Sequence, residues 1–263
     1  MTRTVAGERL PLRRRRAARA LALAVATMLA IAGFTCSVQV YKIRQMETHR
    51  PASTTLMESR RHALAKKGRG VFATWVDLDS VPPHAIGAII AAEDIHFLAH
   101  HGIDTSAITR AAFRNSEEGG RRYGASTITQ QLARNIFLSE ARTYVRKLQE
   151  VVYALWIDGL LTKHRVLELY INVAEWGDGV FGMEAASKYY FGHGVHSLTV
   201  EEAAFLAAIL PSPLSVRKDQ ATRPPDALRR RIMRIREKMD WPYVRAQANR
   251  LAAIDHVGEP IAR

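Results

Sequence analysis

The sequence has a single cysteine, Cys36, among its 263 residues, which excludes an internal disulfide framework. It has no internal repeat and no low-complexity tract, so repeat architectures and compositionally biased chains are excluded as well. Charge is absent from residue 20 to residue 41, where alanine, leucine, valine and isoleucine dominate. The chain length leaves room for one sizeable domain and some additional segments.

The uncharged stretch from Ala20 to Tyr41 has the length of a membrane span. As a helix rising about 1.5 Å per residue, it crosses the roughly 30 Å core of a bilayer once. Seven arginines lie within residues 1–20, and positively charged flanks of this kind stay in the cytoplasm. We therefore predict a basic cytoplasmic segment at 1–19, a transmembrane signal-anchor at 20–41 and an external location for everything after it.

The alternative to a retained anchor is a cleaved signal peptide, because Ala30-Ile31-Ala32 has the small residues of a cleavage site. The apolar run continues beyond that point, which favours the anchor. The net charge of +13 invites a nucleic-acid-binding interpretation, but residues 1–20 carry seven arginines against Glu8, a net +6. Nearly half of the excess therefore belongs to the topological signal, and an external domain disfavours nucleic acid as a partner.

Three segments follow the anchor. Residues 42–74 are mixed, polar and basic, and we predict a membrane-proximal connector there. Beyond Pro83, apolar residues recur at helical spacing in nearly every segment, which predicts a mainly α domain over residues 75–215. Residues 216–263 place apolar residues at helical spacing among many arginines, a pattern that predicts a basic helical C-terminal tail.

Glu93 is the first candidate for chemistry. Ile86, Ile89 and Ile90 precede it at helical spacing, so its carboxylate arrives at the end of a buried helix face. A poorly solvated carboxylate has a raised pKa and can exchange protons near neutrality, which makes Glu93 a candidate acid or base. The alternative is that Glu93-Asp94 begins a solvated turn closed by Gly102.

Two further motifs are polar in a way that suits sugars and phosphates. The block from Gly124 to Asn135 has two glutamines, two threonines, a serine and an asparagine, which supply neutral donors and acceptors for hydroxyls and amides. The alternative is an N-cap serine on an ordinary solvated helix. Arg146 and Glu150 share a helix face and could be a surface ion pair, or Glu150 could be the second of the paired carboxylates needed at an anomeric carbon.

The motifs follow one another in a fixed order: Glu93-Asp94 with Phe97, His100 and Gly102, the Gly124 to Asn135 block, Arg146-Lys147 with Glu150, and Lys163, Val166, Leu167, Glu168, Tyr170 and Asn172. In this order they closely resemble the family 51 glycosyltransferases, the peptidoglycan polymerases, over roughly residues 75–215. The continuation from Asn172 to Gly182 is most similar to the monofunctional biosynthetic transglycosylase branch.

The resemblance implies a lysozyme-like, mainly α fold and a reaction. Glu93 would be the general base that deprotonates the 4-hydroxyl of the acceptor lipid II, which attacks the anomeric carbon of the growing glycan with inversion to a β-1,4 link. Glu150 would assist the departing undecaprenyl pyrophosphate, directly or through a divalent cation such as Mg²⁺. The implied substrate-binding residues are Asp94, Phe97, His100, Gly124, Ser126, Thr127, Gln130, Gln131, Arg134, Asn135, Arg146 and Lys147.

The same resemblance implies the setting of the enzyme. Its partners would be lipid II and the lipid-linked glycan, together with cell-wall synthesis or division proteins, and it would need no organic cofactor. The anchor would hold it in the bacterial inner (cytoplasmic) membrane with the catalytic domain in the periplasm. Ser215-Val216-Arg217-Lys218 has the Ser-x-x-Lys spacing of a transpeptidase nucleophile motif, but it follows a proline stop and no Lys-Thr-Gly string accompanies it. No transpeptidase domain is therefore expected.

Some departures and rivals accompany the resemblance. Arg134 stands where the family usually has lysine, which keeps the charge but changes its geometry. His96, His100 and His101 lack a second ligand cluster at matching spacing, so no metal site is predicted from them. A lytic transglycosylase is the rival enzyme, but cleaving a sugar–sugar bond creates no need for the Arg146-Lys147 pair. A catalytically inactive scaffold is disfavoured by the intact pair of glutamates.

Overall fold

The computed structural model describes residues 12–117, 124–141 and 143–253, and it divides into two compact units, residues 1–45 and residues 46 onward. The first unit is the helix α1, Leu12–Gln45. Its stretch Arg19–Gln45 is long and apolar enough to cross a membrane, and its leucines are exposed. The predicted span at 20–41 lies inside this helix, whereas residues 1–11 of the predicted basic segment lie outside the described residues.

The second unit is mainly helical. Its helices are α2 Thr55–Ala65, α3 Pro83–Glu93, α4 Thr105–Glu117, α5 Ile128–Phe137, α6 Tyr144–Leu160, α7 Lys163–Val173, α8 Met183–Phe191, α9 Val200–Ile209, α10 Asp226–Met239 and α11 Pro242–Ala252. In the described ranges the strands are β1 Phe72–Ala73, β2 Glu175–Gly177 and β3 Val180–Phe181. They form a small sheet in the order β1-β3-β2, with β1 parallel and β2 antiparallel to β3.

Helix α3 is the central element. Proline at its first position is compatible with a helix start, and alanine, isoleucine and glycine then bury every position from residue 85 to residue 91. Such a helix is apolar all round and is stable only inside a protein. It packs against α9, α10 and α11, and it ends at Glu93, so the carboxylate is placed where the buried helix opens.

Helices α5, α6 and α7 form the second group, in which α5 packs on both other helices. Each begins with a threonine N-cap whose side chain accepts a hydrogen bond from a backbone N–H of the first turn. At α5 the cap is Thr127, and the Gln130 side chain completes a capping box by accepting from the Thr127 backbone N–H. Helix α5 therefore begins at Ile128, and its N-cap is Thr127 rather than the serine that the sequence offered as an alternative.

The predicted boundaries at 74/75 and 215/216 do not separate anything, because residues 46 onward form one unit. The supposed connector buries Met57 and Leu64 in the core. The supposed tail packs α10 against α9 and α3, and α11 against α3, while the buried Gln247 bonds to the backbone of Leu98 and Ile95. Helix α10 is the basic amphipathic helix that the sequence predicted, and it buries Ile235 and Met239 against the domain while most of its arginines stay exposed. Residues 254–263 of that tail lie outside the described residues.

Gly182 carries the turn into α8, and it gives a first prediction. Its φ is +86°, and a Cβ there would lie 2.6 Å from the carbonyl oxygen of Thr74. We expect Gly182→Ala to lower the free energy of unfolding by about 3 kcal/mol, from backbone strain and this clash. The matched control is Gly159→Ala in α6, where a Cβ meets nothing within 4 Å, and which we expect to stabilise by about 0.5 kcal/mol. Urea unfolding measures the stability of both variants. Equal changes in the two variants would show that Gly182 is not needed for the turn into α8.

Candidate active site

Glu93 has one committed and one available oxygen. Gln131 Nε2 donates to Oε2 at 2.7 Å, whereas the buried Oε1 has no hydrogen-bond partner among the described residues. The side chain is 9% exposed. Burial raises the pKa of Glu93 above its ordinary value, although the Gln131 hydrogen bond and the charges of Arg231 and Arg134 act in the opposite direction. A buried carboxylate with one free oxygen is suited to accept a proton.

The orientation of the Gln131 amide is fixed from α7. The Tyr170 hydroxyl donates to Gln131 Oε1 at 3.1 Å, so the amide nitrogen is left to face Glu93. Tyr170 is fully buried, and burial raises its pKa well above its ordinary value, which keeps the hydroxyl protonated. The chain from Tyr170 through Gln131 to Glu93 therefore selects which carboxylate oxygen stays available.

This chain gives a second prediction. We expect Tyr170→Phe to reduce kcat about fivefold with little change in KM, because one hydrogen bond contributes about 1 kcal/mol to holding the base in place. The control is Tyr190→Phe, since the Tyr190 hydroxyl donates to the carbonyl oxygen of Trp176 away from this network. That variant should lose similar stability without losing rate. A Tyr170→Phe enzyme of unchanged kcat would remove the chain from the site.

Asp94 ties the end of α3 to the start of α5. Its carboxylate accepts from the backbone N–H of Ile128 at 3.1 Å and contacts His100 Nε2 at 2.9 Å. The Thr127 hydroxyl adds a second connection by donating to the carbonyl oxygen of Gly102 at 2.6 Å. Negative charge at a helix N-terminus is favourable. Asp94 and His100 therefore hold the two helices that carry Glu93 and Gln131 in register.

Glu150 lies between two cations on α6. Its side chain is 1% exposed. Arg146 Nη1 donates to Oε2 at 2.7 Å, and Lys147 Nζ donates to Oε1. Lys147 Nζ also donates to Ser126 Oγ at 3.1 Å, which connects this cluster to the loop before α5. We name Arg146, Lys147 and Glu150 the α6 cluster. The predicted surface-pair alternative is wrong for Glu150, since its carboxylate is buried.

A cavity of about 660 Å³ opens at the end of α3. We name it the Glu93 cavity. Of the predicted site residues, Glu93, Asp94, Gly124, Ser126 and Thr127 line it. Because Ser126 lines the cavity and also binds Lys147, the α6 cluster lies directly beside it. The sequence motifs that were far apart along the chain therefore converge on one concave site.

Four other predicted residues are not among those that line the Glu93 cavity. Phe97 is fully buried, with Lys163 Nζ 4.8 Å from its ring centroid. Gln130 is buried in the capping box of α5, and Asn135 is buried as well. Arg134 is exposed, and its charge lowers the pKa of Glu93, so it lies close enough to act on the site. A role in substrate binding stays a prediction for all four.

The C-terminal helices contribute residues that sequence reasoning missed. Arg231 of α10 places Nη2 3.6 Å from Glu93 Oε1. Lys238, Trp241 and Tyr243 line the Glu93 cavity, and the ring centroid of Tyr243 lies 5.7 Å from that of His96. The available signal was the apolar repeat along α10, which places Arg231 and Lys238 seven residues apart on one helix face.

The donor set does not fit a divalent cation in this arrangement. Both oxygens of Glu150 are already bound by Arg146 and Lys147, and a metal ion there would have cations as neighbours. Within residues 12–117, 124–141 and 143–253, no group of three or more His, Cys, Asp or Glu side chains is placed to hold a metal.

A buried glutamate above a cavity, with a second glutamate held between cations, is an arrangement suited to a glycan-processing enzyme. The sequence matches the transglycosylase family over residues 60–240. Biosynthetic peptidoglycan transglycosylases of Rhodospirillum centenum and an Azoarcus species are 43% and 42% identical to it, over 72% and 75% of this chain and 79% and 84% of theirs. That of Pseudomonas aeruginosa is 46% identical over 63% of this chain and 69% of its own.

The chain therefore belongs to the transglycosylase family. This confirms the resemblance drawn from the motifs, the mainly α lysozyme-like fold and the predicted class of enzyme, a peptidoglycan glycosyltransferase of cell-wall synthesis. The apolar N-terminal helix is consistent with a single-pass membrane anchor.

Proposed function

We propose that the enzyme polymerises lipid II into β-1,4-linked glycan strands, with Glu93 as the general base. The observation that carries this proposal is that Glu93 Oε1 is buried in the wall of the cavity and accepts no hydrogen bond from the described residues. The acceptor 4-hydroxyl would donate its proton to this oxygen. General-base catalysis needs a carboxylate with a raised pKa and a vacant lone pair at hydrogen-bond reach, and Glu93 has both.

The bonds balance in one displacement. The acceptor O4 bonds to the anomeric carbon of the glycan chain while the bond from that carbon to the pyrophosphate oxygen breaks. Attack from the opposite face inverts the configuration, and the proton of O4 ends on Glu93. The departing group is undecaprenyl pyrophosphate, whose growing negative charge needs fixed positive charge beside it.

The α6 cluster would supply that positive charge. Arg146 and Lys147 present three or more N–H donors, and Arg146 Nε is buried without a hydrogen-bond partner among the described residues. Charge-assisted bonds to phosphate are strong and geometrically selective. Glu150 would hold both cations in position, so that phosphate binds to a prearranged pair. The Mg²⁺ suggested by the family resemblance stays a prediction.

Further cations surround the Glu93 cavity. Arg110 and Arg114 of α4 and Lys238 of α10 are among its lining residues. Both the glycan donor and the lipid II acceptor carry a pyrophosphate, so polymerisation needs two cationic places rather than one. The α6 cluster would serve the departing pyrophosphate, and the cations of α4 and α10 would serve the incoming one.

The lipid part of the substrate is matched by apolar surface. Helix α6 exposes the large apolar side chains of Tyr144, Val145, Leu148 and Leu155, and exposed apolar side chains grouped on one helix suit contact with lipid. With α1 as a retained anchor, the arginine-rich flank would fix the amino end in the cytoplasm. We place the enzyme in the bacterial inner membrane with its catalytic domain in the periplasm, where cell-wall synthesis or division proteins would be its partners.

The test uses the purified full chain in detergent with labelled lipid II. We expect a polymer that a muramidase digests and the release of undecaprenyl pyrophosphate. Added sacculi serve as the second substrate, because a lytic enzyme would release soluble fragments from them. Fragments from sacculi without polymer from lipid II would overturn the synthetic function and favour the lytic one.

A further inference from the structure

Arg231 forms an ion pair with the available oxygen of Glu93. Its Nη2 lies 3.6 Å from Oε1, and its side chain is 35% exposed against 9% for Glu93. The separation is longer than a hydrogen bond, so the two groups are held by charge attraction rather than by a directed bond. No directed bond therefore fixes the guanidinium to Glu93.

Arg231 also belongs to a row of like charges. Arg231, Arg234 and Lys238 lie three to seven residues apart along α10 and therefore share a face. Burial and the charge of Arg234 lower the pKa of Arg231, whereas the charge of Glu93 acts in the opposite direction. Burial and the charges of Arg234 and Arg231 lower the pKa of Lys238. The row would gain more from an arriving anion than a single cation would.

Three other titratable groups lie close enough to Glu93 to interact with it. Arg134 faces it from α5, and Tyr170, kept neutral by burial, faces it from α7. Asp94 is the like charge next to it in the chain, and it opposes ionisation of Glu93. Unlike these groups, Arg231 also belongs to the row of cations on α10.

We propose that Arg231 is the counter-ion of Glu93 in the free enzyme, and that the pyrophosphate of an incoming acceptor draws Arg231 away, so that Glu93 becomes a strong base only when the acceptor is bound. This inference rests on the proposed function, because the acceptor must be a phosphorylated sugar. It makes Arg231 a positioning residue, since it acts through Glu93 and not on the reacting atoms.

The competition favours the pyrophosphate. A guanidinium can form two parallel N–H···O bonds to phosphate, whereas at 3.6 Å it forms none with Glu93. Once Arg231 turns away, the carboxylate keeps its burial and its single Gln131 hydrogen bond but loses an opposite charge. Loss of an opposite charge raises a carboxyl pKa. Proton affinity at Oε1 therefore increases when the acceptor hydroxyl arrives.

The first test measures Glu93 directly, without polymerisation. Glutamate carboxyl carbons of the full chain are labelled with ¹³C, and the Glu93 signal is identified by its loss in Glu93→Gln. We expect Arg231→Gln to raise the Glu93 titration midpoint by about one pH unit. Arg231→Lys keeps the charge and should restore most of the shift. Arg230→Gln, which removes an exposed neighbour on α10, should leave the midpoint unchanged.

Inorganic pyrophosphate then tests the displacement. In the wild type it should raise the Glu93 midpoint both by its own charge and by removing Arg231. In Arg231→Gln only its own charge remains, so the increase should be clearly smaller. Equal increases in the two proteins would overturn the proposal, as would an Arg231→Gln midpoint identical to that of the wild type.

Kinetics give an independent reading on lipid II. The acid limb of kcat/KM reports the free enzyme and that of kcat reports the substrate complex. We expect the wild-type kcat limb to lie about one pH unit above the kcat/KM limb. In Arg231→Gln the kcat/KM limb should rise to meet an unmoved kcat limb. Limbs that rise together would mean that Arg231 stays beside Glu93, and a wild type without polymer would refute the proposed function while the carbon titration still decided this inference.

Discussion

Glu93→Gln is expected to reduce kcat for glycan polymerisation by about a thousandfold, because general-base catalysis of this kind contributes roughly 10²–10⁴. The amide has nearly the same size and keeps a polar group beside Gln131, but it cannot accept the acceptor proton. Substrate binding should persist, so KM should change little. Initial rates on labelled lipid II measure the effect, and a thermal unfolding curve shows that the variant is folded.

The wild-type pH profile belongs to the same prediction. Burial raises the pKa of Glu93, and the base must be ionised to act. Activity should therefore fall as the pH decreases, with a midpoint above that of an ordinary glutamate.

Glu201→Gln is the matched control for Glu93→Gln, because Glu201 is 62% exposed and paired with Arg236 on another surface. A Glu93→Gln enzyme that keeps a tenth of the wild-type rate would show that another group takes the proton.

Glu150→Gln is expected to reduce both rate and stability. The change leaves Arg146 and Lys147 side by side without the buried negative charge that holds them. Breaking a buried pair by removing one partner costs about 3 kcal/mol, and loss of the prearranged cations should lower kcat about a hundredfold. Lys147 is 44% exposed and can turn to water, which moderates the stability loss. Polymerisation rates and denaturant unfolding measure the two effects.

The control for Glu150 is an exposed ion pair of the same protein. Asp219 and Arg217 are paired at 2.8 Å with side chains 67% and 73% exposed, and such pairs contribute about 0–1 kcal/mol. Asp219→Asn should therefore change neither stability nor rate measurably. If Glu150→Gln behaved like Asp219→Asn, the α6 cluster would be an ordinary ion pair and the departing pyrophosphate would need another partner.

Local patterns predicted the elements that carry the motifs. The spacing of the isoleucines in α3 predicted a buried helix that ends at Glu93, because helical periodicity depends only on residues that are close together in the sequence. The position of the membrane-length helix was accessible for the same reason. The pairing of Glu150 with Arg146 followed from their spacing of four residues, but the burial of that carboxylate depends on tertiary packing.

Contacts across long sequence separations were not predictable from these patterns. Arg231 meets Glu93 only because α10 packs on α3, and the sequence of α10 shows a basic amphipathic helix without showing what it covers. Gln131 was predicted to bind substrate, yet its hydrogen bonds to Tyr170 and Glu93 give it an internal task. A resemblance transfers the identity of a residue, whereas only three-dimensional packing shows which atoms are left available.

The packing of α10 and α11 on α3 has a consequence for biogenesis. A ribosome delivers the chain from its amino end, and domains acquire their structure as segments emerge. Glu93 and the α6 cluster are therefore translated well before Lys238 and Trp241, which line the cavity, and before Arg231, which pairs with Glu93. A nascent polypeptide already inserted through α1 would hold an unfinished pocket. The newly made enzyme can therefore become active only after α10 and α11 have been synthesised.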